Sequence, residues 1–282
     1  MGFTTLISTT ALAKCVGEHS AIVVDCRFKL DDAGWGESAF REAHIPGAVY
    51  AHLDRDLSGP KTGTNGRHPL PDIDTFARTL GHLGVRNGAQ VVAYDQDNGM
   101  YASRLWWMLR WMGHDAVAVL DGGFAAWIGE HRPTERGEVA ARPAAFTAGP
   151  RAAMLVDLAG VSAITQTGSA LLLDARAPQR YRGETESLDR VAGHIPTAKN
   201  YFFQQNVDNR GVFKSPAELR SQLTAAIGSS PAENVVCYCG SGVTACHNLL
   251  AMEHAGLTGA RLFPGSWSEW CASESRPVAT GE

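Results

Sequence analysis

The chain has 282 residues, 44% of them hydrophobic, and a formal net charge of -4 with acidic and basic residues mixed throughout. This length and apolar content predict two domains of ordinary size, and the charge pattern argues against nucleic acid or an anionic membrane as partners. Residues 1–14 hold no apolar run long enough for a signal peptide or a membrane span, and the six cysteines are too unevenly spaced for a disulfide framework. We therefore expect a protein of the reducing cytoplasm.

The two halves of the chain carry the same series of motifs. In each half a short apolar run ends in aspartate, a His-Ile-Pro turn follows, a Val-Val strand comes next, and a glycine-containing turn ends in tryptophan. The matching segments, first half before second, are 21–25 and 171–174, 44–47 and 194–197, 90–95 and 234–239, and 120–127 and 263–270. Two tandem copies of one domain account for this series.

Within each copy, short apolar strands alternate with helical stretches. This alternation predicts an α/β domain built on a mainly parallel sheet flanked by helices. We place the first domain at residues 1–130 and the second at 151–282. The segment between them, 131–150, is rich in Gly, Pro, Arg, Glu and Ala, lacks periodicity and is predicted to be a linker.

The second Val-Val strand ends at Cys239 and leads into the most informative stretch of the chain. Gly240 and Gly242 follow within three residues, and a helical pattern without Gly or Pro begins at Thr244. Such a loop turns successive backbone N–H groups inward and adds the positive end of the helix dipole, which together form an anion cradle. A thiolate is stabilised there, so we predict that Cys239 is a nucleophile. An inert core cysteine would leave the two glycines without a purpose.

The sequence Cys-Gly-Ser-Gly-Val-Thr-Ala-Cys at 239–246 resembles the active-site loop of the rhodanese family, specifically its 3-mercaptopyruvate sulfurtransferase type. The thiosulfate type more often carries Cys-Arg-Lys-Gly-Val-Thr. With the internal repeat, the resemblance covers nearly the whole chain and implies two tandem rhodanese-like domains. It implies that Cys239 takes sulfur from a small-molecule donor as a persulfide and passes it to cyanide or a thiol, with thioredoxin as one candidate. No metal or organic cofactor is required.

The two copies differ at the nucleophile. Aligning the Val-Val strands places Asp95 of the first copy where Cys239 stands in the second. An aspartate cannot carry a persulfide, so the first domain is predicted to be catalytically silent.

The loop also bears on the choice of donor. Gly240 and Ser241 bring no charge, which suits a monoanionic 2-oxo acid such as 3-mercaptopyruvate better than the thiosulfate dianion; thiosulfate is the alternative donor. Ser241 can donate a hydrogen bond to the enolate that leaves. The backbone of Gly240, Gly242, Val243 and Thr244 is expected to hold the transferred sulfur.

In the family, the loop serine works with a histidine and an aspartate of the first domain. His44, in Glu-Ala-His-Ile-Pro-Gly-Ala, matches that histidine, although it could instead be a turn residue of the Pro46-Gly47 bend. Asp31 and Asp32 are both candidates for the aspartate, and Asp32 is chosen.

The donor's carboxylate calls for a bidentate arginine. Arg180, in Gln-Arg-Tyr-Arg-Gly, matches the family arginine of that segment. The mercaptopyruvate type has a second arginine nine positions on, where this chain has Asp189. We assign the second position to the neighbouring Arg190 and leave open whether it replaces the family arginine.

Other functional classes fit the sequence less well. A phosphatase class that shares the fold uses Cys-x5-Arg, and the arginine position is Ala245 here. Cys237 and Cys239 are two apart, and His247 follows too closely for a zinc-ribbon spacing. A module that only binds or senses is expected to lack the cysteine in both copies, whereas this chain keeps Cys239.

Overall fold

The structure is a computed structural model that describes residues 2–282. The chain packs as two compact units, each built on one sheet. The first unit contains the chain up to Gly59 together with 71–151 and 207–213; the second contains 60–70, 152–206 and 214–282. No helix in residues 2–282 is both long enough and apolar enough to cross a membrane.

The first unit alternates strands and helices along the sequence. Its elements are β1 (Leu6–Ile7), α1 (Thr9–Gly17), β2 (Ala21–Asp25), α2 (Trp35–Glu42), β3 (Val49–Tyr50), α3 (Ile73–His82), β4 (Gln90–Tyr94), α4 (Ala102–Trp111), β5 (Val117–Leu120) and α5 (Gly123–Gly129). The strand order is β1-β5-β4-β2-β3, and every pair is parallel.

The second unit repeats this plan with one named strand fewer. Its elements are α6 (Leu158–Thr167), β6 (Leu171–Asp174), α7 (Pro178–Tyr181), β7 (Lys199–Asn200), α8 (Pro216–Ile227), β8 (Val235–Tyr238), α9 (Thr244–His254), β9 (Arg261–Leu262) and α10 (Ser266–Trp270), with 3-10 turns at Ala152–Met154, Phe203–Asn206 and Ala232–Asn234. The parallel order is β7-β6-β8-β9, and an isolated parallel bridge joins Leu155 to Leu262 where β1 would lie. The predicted pair of α/β domains with parallel sheets is confirmed.

A buried aspartate–arginine ion pair lies at the end of one strand in each sheet. Asp25 lies opposite Tyr94 in the first sheet, and Asp174 lies opposite Tyr238 in the second. Arg27 donates from Nη2 to Asp25 at 2.7 Å, and Arg176 donates from Nη2 to Asp174 at the same distance. Buried charges of this kind are tolerated because they are paired and hydrogen-bonded.

Segment boundaries differ from a simple division of the sequence. The predicted linker, 131–150, packs on the first unit, where the Ala144 N–H donates to Gly81 O and the Gly149 N–H donates to Met112 O, both at 2.9 Å. These bonds satisfy backbone groups of the helix ends, which explains why a segment without periodicity is held in place. The division into domains at 1–130 and 151–282 remains a prediction.

Candidate active site

Cys239 directly follows β8 and begins the loop to α9. The residue is 2% exposed, and its Sγ accepts a hydrogen bond from the Gly242 N–H at 3.1 Å. Gly242 has φ +77°, and a Cβ atom there would clash with the carbonyl oxygen of Pro264, so glycine is required. Val243 precedes α9 and Thr244 is its first residue. The sulfur therefore lies beside an inward N–H group and a helix N-terminus, which stabilise negative charge.

The start of α10 fixes this loop from behind. The Trp267 N–H donates to Cys239 O and the Ser268 N–H donates to Gly240 O, both at 2.9 Å. The Cys239 N–H donates to Ser266 Oγ at 3.0 Å. Because three backbone groups of the loop are held, the sulfur has a defined position before any donor arrives.

The neighbouring cysteines have different surroundings. Cys237 lies inside β8, where burial raises the pKa of its thiol well above the usual value. Cys246 lies in α9, with its Sγ 3.3 Å from Gly242 O. Cys239 is the thiol at the strand end, where ligands bind in parallel α/β sheets. Among residues 2–282, no group of three or more His, Cys, Asp or Glu is arranged to hold a metal ion.

Ser241 contacts a histidine that the sequence did not indicate. Its Oγ lies 2.8 Å from Nδ1 of His68, and the two residues are 5% and 4% exposed. His68 belongs to 60–70, a segment that packs with the second unit although it lies in the first half of the sequence. The contact that we assigned to His44 is thus made by His68.

His44 has a structural position instead. It is fully buried, its Nδ1 lies 2.7 Å from Phe40 O, and its ring stacks on Phe40 with centroids 4.1 Å apart. His194 repeats the arrangement in the second unit: its Nδ1 lies 2.8 Å from Tyr181 O, and its ring stacks on the Tyr181 ring with centroids 3.8 Å apart. A histidine with one role in both copies belongs to the fold.

Asp32 also has a local role. It is exposed, and its Oδ1 accepts a hydrogen bond from the Gly34 N–H at 3.2 Å, in the turn that leads into α2. Asp31 beside it is exposed as well. This Asx-type turn explains the aspartate through the backbone that it orders.

Arg180 is held by two buried carboxylates. Its Nη2 donates to Glu186 Oε1 at 2.7 Å and to Asp189 Oδ2 at 3.0 Å, and both carboxylate side chains are 3% exposed. Burial alone would raise the pKa of Glu186, but hydrogen bonds from Arg180 and from backbone N–H groups hold that pKa below its usual range. Arg190, in contrast, has a side chain that is 67% exposed and lies 3.4 Å from Glu274.

The second guanidinium beside Arg180 comes from Arg67, which pairs with the other oxygen of Asp189. A Cβ atom added to Gly240 would lie 2.8 Å from Arg67 Nη2 and 3.6 Å from Arg180 Nη1. Two cations therefore face the residue next to Cys239, although the loop itself carries no charge. Sequence analysis missed Arg67 because no motif marks the segment around it.

In the first unit a carboxylate occupies the equivalent position. Asp95 directly follows β4, as Cys239 follows β8. Its Oδ2 accepts hydrogen bonds from the N–H groups of Tyr101 at 2.7 Å and Ala102 at 3.0 Å, and its Oδ1 accepts from that of Gly99 at 2.9 Å. Burial raises the pKa of Asp95 to about 6 against these hydrogen bonds, which lower it.

The family model of the rhodanese-like domain matches residues 8–130 and 158–273. The chain belongs to the rhodanese family. Among curated relatives, a probable 3-mercaptopyruvate sulfurtransferase of Pseudomonas aeruginosa is 46% identical over 279 residues, 98% of each chain. A putative thiosulfate sulfurtransferase of Mycobacterium tuberculosis is 36% identical over 98% of this chain and 97% of its own. The solved 3-mercaptopyruvate sulfurtransferase SseA of Escherichia coli superposes with a TM-score of 0.82 at 30% identity, covering 95% of this chain and 100% of its own.

Proposed function

We propose that this protein is a 3-mercaptopyruvate sulfurtransferase that carries sulfur as a persulfide on Cys239. The observation that supports this most directly is the position of Cys239 Sγ, in an anion cradle and on the same loop as the Ser241–His68 pair. The relatives named for this activity, one of them 46% identical over nearly the full length, support the same donor.

In the first half-reaction the Cys239 thiolate attacks the sulfur of the donor. The new S–S bond forms as the C–S bond breaks, and the electron pair of that bond leaves on carbon as the enolate of pyruvate. Ser241 Oγ–H donates a proton to the enolate, which yields pyruvate, and His68 resupplies the serine. The proton of the donor's thiol, now on the new persulfide, returns to His68, so that the persulfide is left as an anion. Backbone N–H groups of the loop, including that of Gly242, hold the anionic persulfide.

In the second half-reaction an acceptor attacks the outer sulfur. A thiolate acceptor leaves as a persulfide, cyanide leaves as thiocyanate, and the Cys239 thiolate is regenerated in both cases. A cytoplasmic thiol such as thioredoxin is the proposed physiological acceptor. The first domain, with Asp95 in the nucleophile position, takes no part in this chemistry.

Thiosulfate is retained as the second donor because of one observation. Arg67 and Arg180 both face Gly240, so a dianion in the site would meet two guanidinium groups that can donate hydrogen bonds to it. Steady-state rates with 3-mercaptopyruvate and with thiosulfate, at one cyanide concentration, decide between them. A higher kcat/KM for thiosulfate would reverse the assignment.

The persulfide itself is tested by intact-protein mass spectrometry. The protein is incubated with 3-mercaptopyruvate without acceptor, desalted and weighed. A gain of one sulfur atom that a thiol acceptor then removes is expected for the native chain. The Cys239→Ser variant should gain nothing, and the Cys237→Ser variant should behave like the native chain. A Cys239→Ser variant that still gained sulfur would overturn the mechanism.

A further inference from the structure

The position of Arg67 is fixed by the same helix that fixes the active-site loop. The Arg67 N–H donates to Ser268 Oγ at 3.0 Å, while the Ser268 N–H donates to Gly240 O at 2.9 Å. Gly66, just before, has φ +86° and lies so close to Gly265 that a Cβ atom would be 2.8 Å from its carbonyl oxygen. The backbone of Arg67 is thus held at Ser268 of α10, the residue after Trp267, whose N–H holds the carbonyl oxygen of Cys239.

One buried carboxylate orients two guanidinium groups. Asp189 accepts from Arg67 Nη1 through Oδ1 and from Arg180 Nη2 through Oδ2, and its side chain is 3% exposed. A Cβ atom on Gly240 would lie 2.8 Å from Arg67 Nη2, 3.6 Å from Arg180 Nη1 and 3.7 Å from Arg180 Nη2. Each guanidinium group is therefore held by a carboxylate and also faces the loop beside Cys239.

The two arginines have two carboxylate counter-ions in the absence of a donor. Arg67 and Arg180 are opposed by Asp189 and by Glu186, whose side chain is also 3% exposed. Because each cation already has its counter-ion, the pair can be ordered in the free enzyme. Two ordered guanidinium groups side by side match the two oxygens of a carboxylate, which arginine binds by paired hydrogen bonds.

We propose that Arg67 is a donor-binding residue that sets specificity: with Arg180 it clamps the carboxylate of the sulfur donor, and Asp189 positions it. This inference rests on the proposed function for the identity of the donor. It gives Arg67 the role for which the sequence suggested Arg190, whose exposed side chain pairs with Glu274. The clamp selects small donors that carry a carboxylate next to the reactive group.

The test uses two alkylating reagents of nearly equal size. Iodoacetate carries a carboxylate and iodoacetamide a neutral amide, and both react with the same thiol. Rate constants for modification of Cys239 are measured by peptide mass spectrometry in the native chain and in Arg67→Gln, Arg67→Lys and Arg182→Gln. Arg182 is the matched control, since its side chain is 30% exposed against 27% for Arg67 and is also paired with a carboxylate.

For Arg67→Gln we expect the iodoacetate-to-iodoacetamide ratio to fall by about tenfold, as for one lost charge-assisted hydrogen bond. Arg67→Lys should give an intermediate ratio, and Arg182→Gln the native ratio. A structural role alone would change both rate constants together and leave the ratio unchanged, which would overturn the proposal. The KM for 3-mercaptopyruvate should rise in Arg67→Gln with a smaller change in kcat. The alkylation ratio is informative even if 3-mercaptopyruvate proves not to be the donor, so the two proposals can fail separately.

Discussion

Removing the Ser241–His68 contact tests the proton transfer that distinguishes the two donors. The enolate of pyruvate needs a proton as it leaves, whereas the sulfite released from thiosulfate is a stable anion. Ser241 Oγ and His68 Nδ1 are 2.8 Å apart and both buried, so water replaces neither side chain easily. With 3-mercaptopyruvate, Ser241→Ala should therefore lose about 10²- to 10³-fold in kcat, in the lower part of the roughly 10²- to 10⁴-fold range of general acid catalysis.

The same contact predicts how the two substitutions combine. If one proton passes along the pair, His68→Asn should lose about as much as Ser241→Ala, and the double variant should lose little more than either alone. Steady-state rates with both donors provide the assay. With thiosulfate, each variant should stay within about fivefold of the native rate, a span of roughly 1 kcal/mol. Losses that multiply in the double variant, or that are equal for both donors, would refute a shared proton path.

Three further predictions follow from the site. Cys239→Ser should abolish turnover with either donor while Cys237→Ser keeps most of it, as initial rates will show; equal losses would mean that the nucleophile is misassigned. Asp95→Asn should leave sulfur transfer intact. Burial raises the pKa of Asp95 to about 6. Protonation of this carboxyl group therefore adds to the free energy of unfolding in full below the unfolded-state pKa, and the addition is lost as pH rises through 6. Urea unfolding should therefore show the native chain gaining about 1.4 kcal/mol over Asp95→Asn between pH 8 and pH 5; a gain in the opposite direction would mean that the N–H groups outweigh burial. Gly240→Ala should raise the KM for 3-mercaptopyruvate, since its Cβ would lie 2.8 Å from Arg67 Nη2; an unchanged KM would show that Arg67 moves freely.

The features that could be predicted from the sequence are those that recur locally. Apolar runs, turn glycines and the repeated Val-Val strands predict two parallel sheets, which the structure has. They also predict the equivalence of Asp95 and Cys239, which follow Tyr94 and Tyr238 at the ends of their strands. Repetition also explains why sequence patterns favour His44, and not His68, as the partner of Ser241. The His-Ile-Pro turn recurs because its histidine makes the same packing contact in each copy. A motif that is present in both copies does not identify a residue that only the active site requires.

The partners of Ser241 and Arg180 could not be found in this way. His68 and Arg67 lie in a stretch of Gly, Pro, Thr and Asn with no periodicity, and local patterns say nothing about where such a segment packs. Their contacts join residues 173 apart for His68 and Ser241, and 122 apart for Arg67 and Asp189. Only the folded chain brings these groups together.

The space above Gly240 has a consequence for how such enzymes can diverge. Loops of the thiosulfate type more often carry arginine at this position, whereas here a Cβ atom would lie 2.8 Å from Arg67 Nη2. A long side chain at position 240 would require the Arg67 guanidinium to move, which its ion pair with Asp189 opposes. A change from one source of charge to the other therefore involves two positions far apart in sequence, 67 and 240. Because the two positions are in contact, we expect substitutions at 67 and 240 to have non-additive effects on kcat/KM.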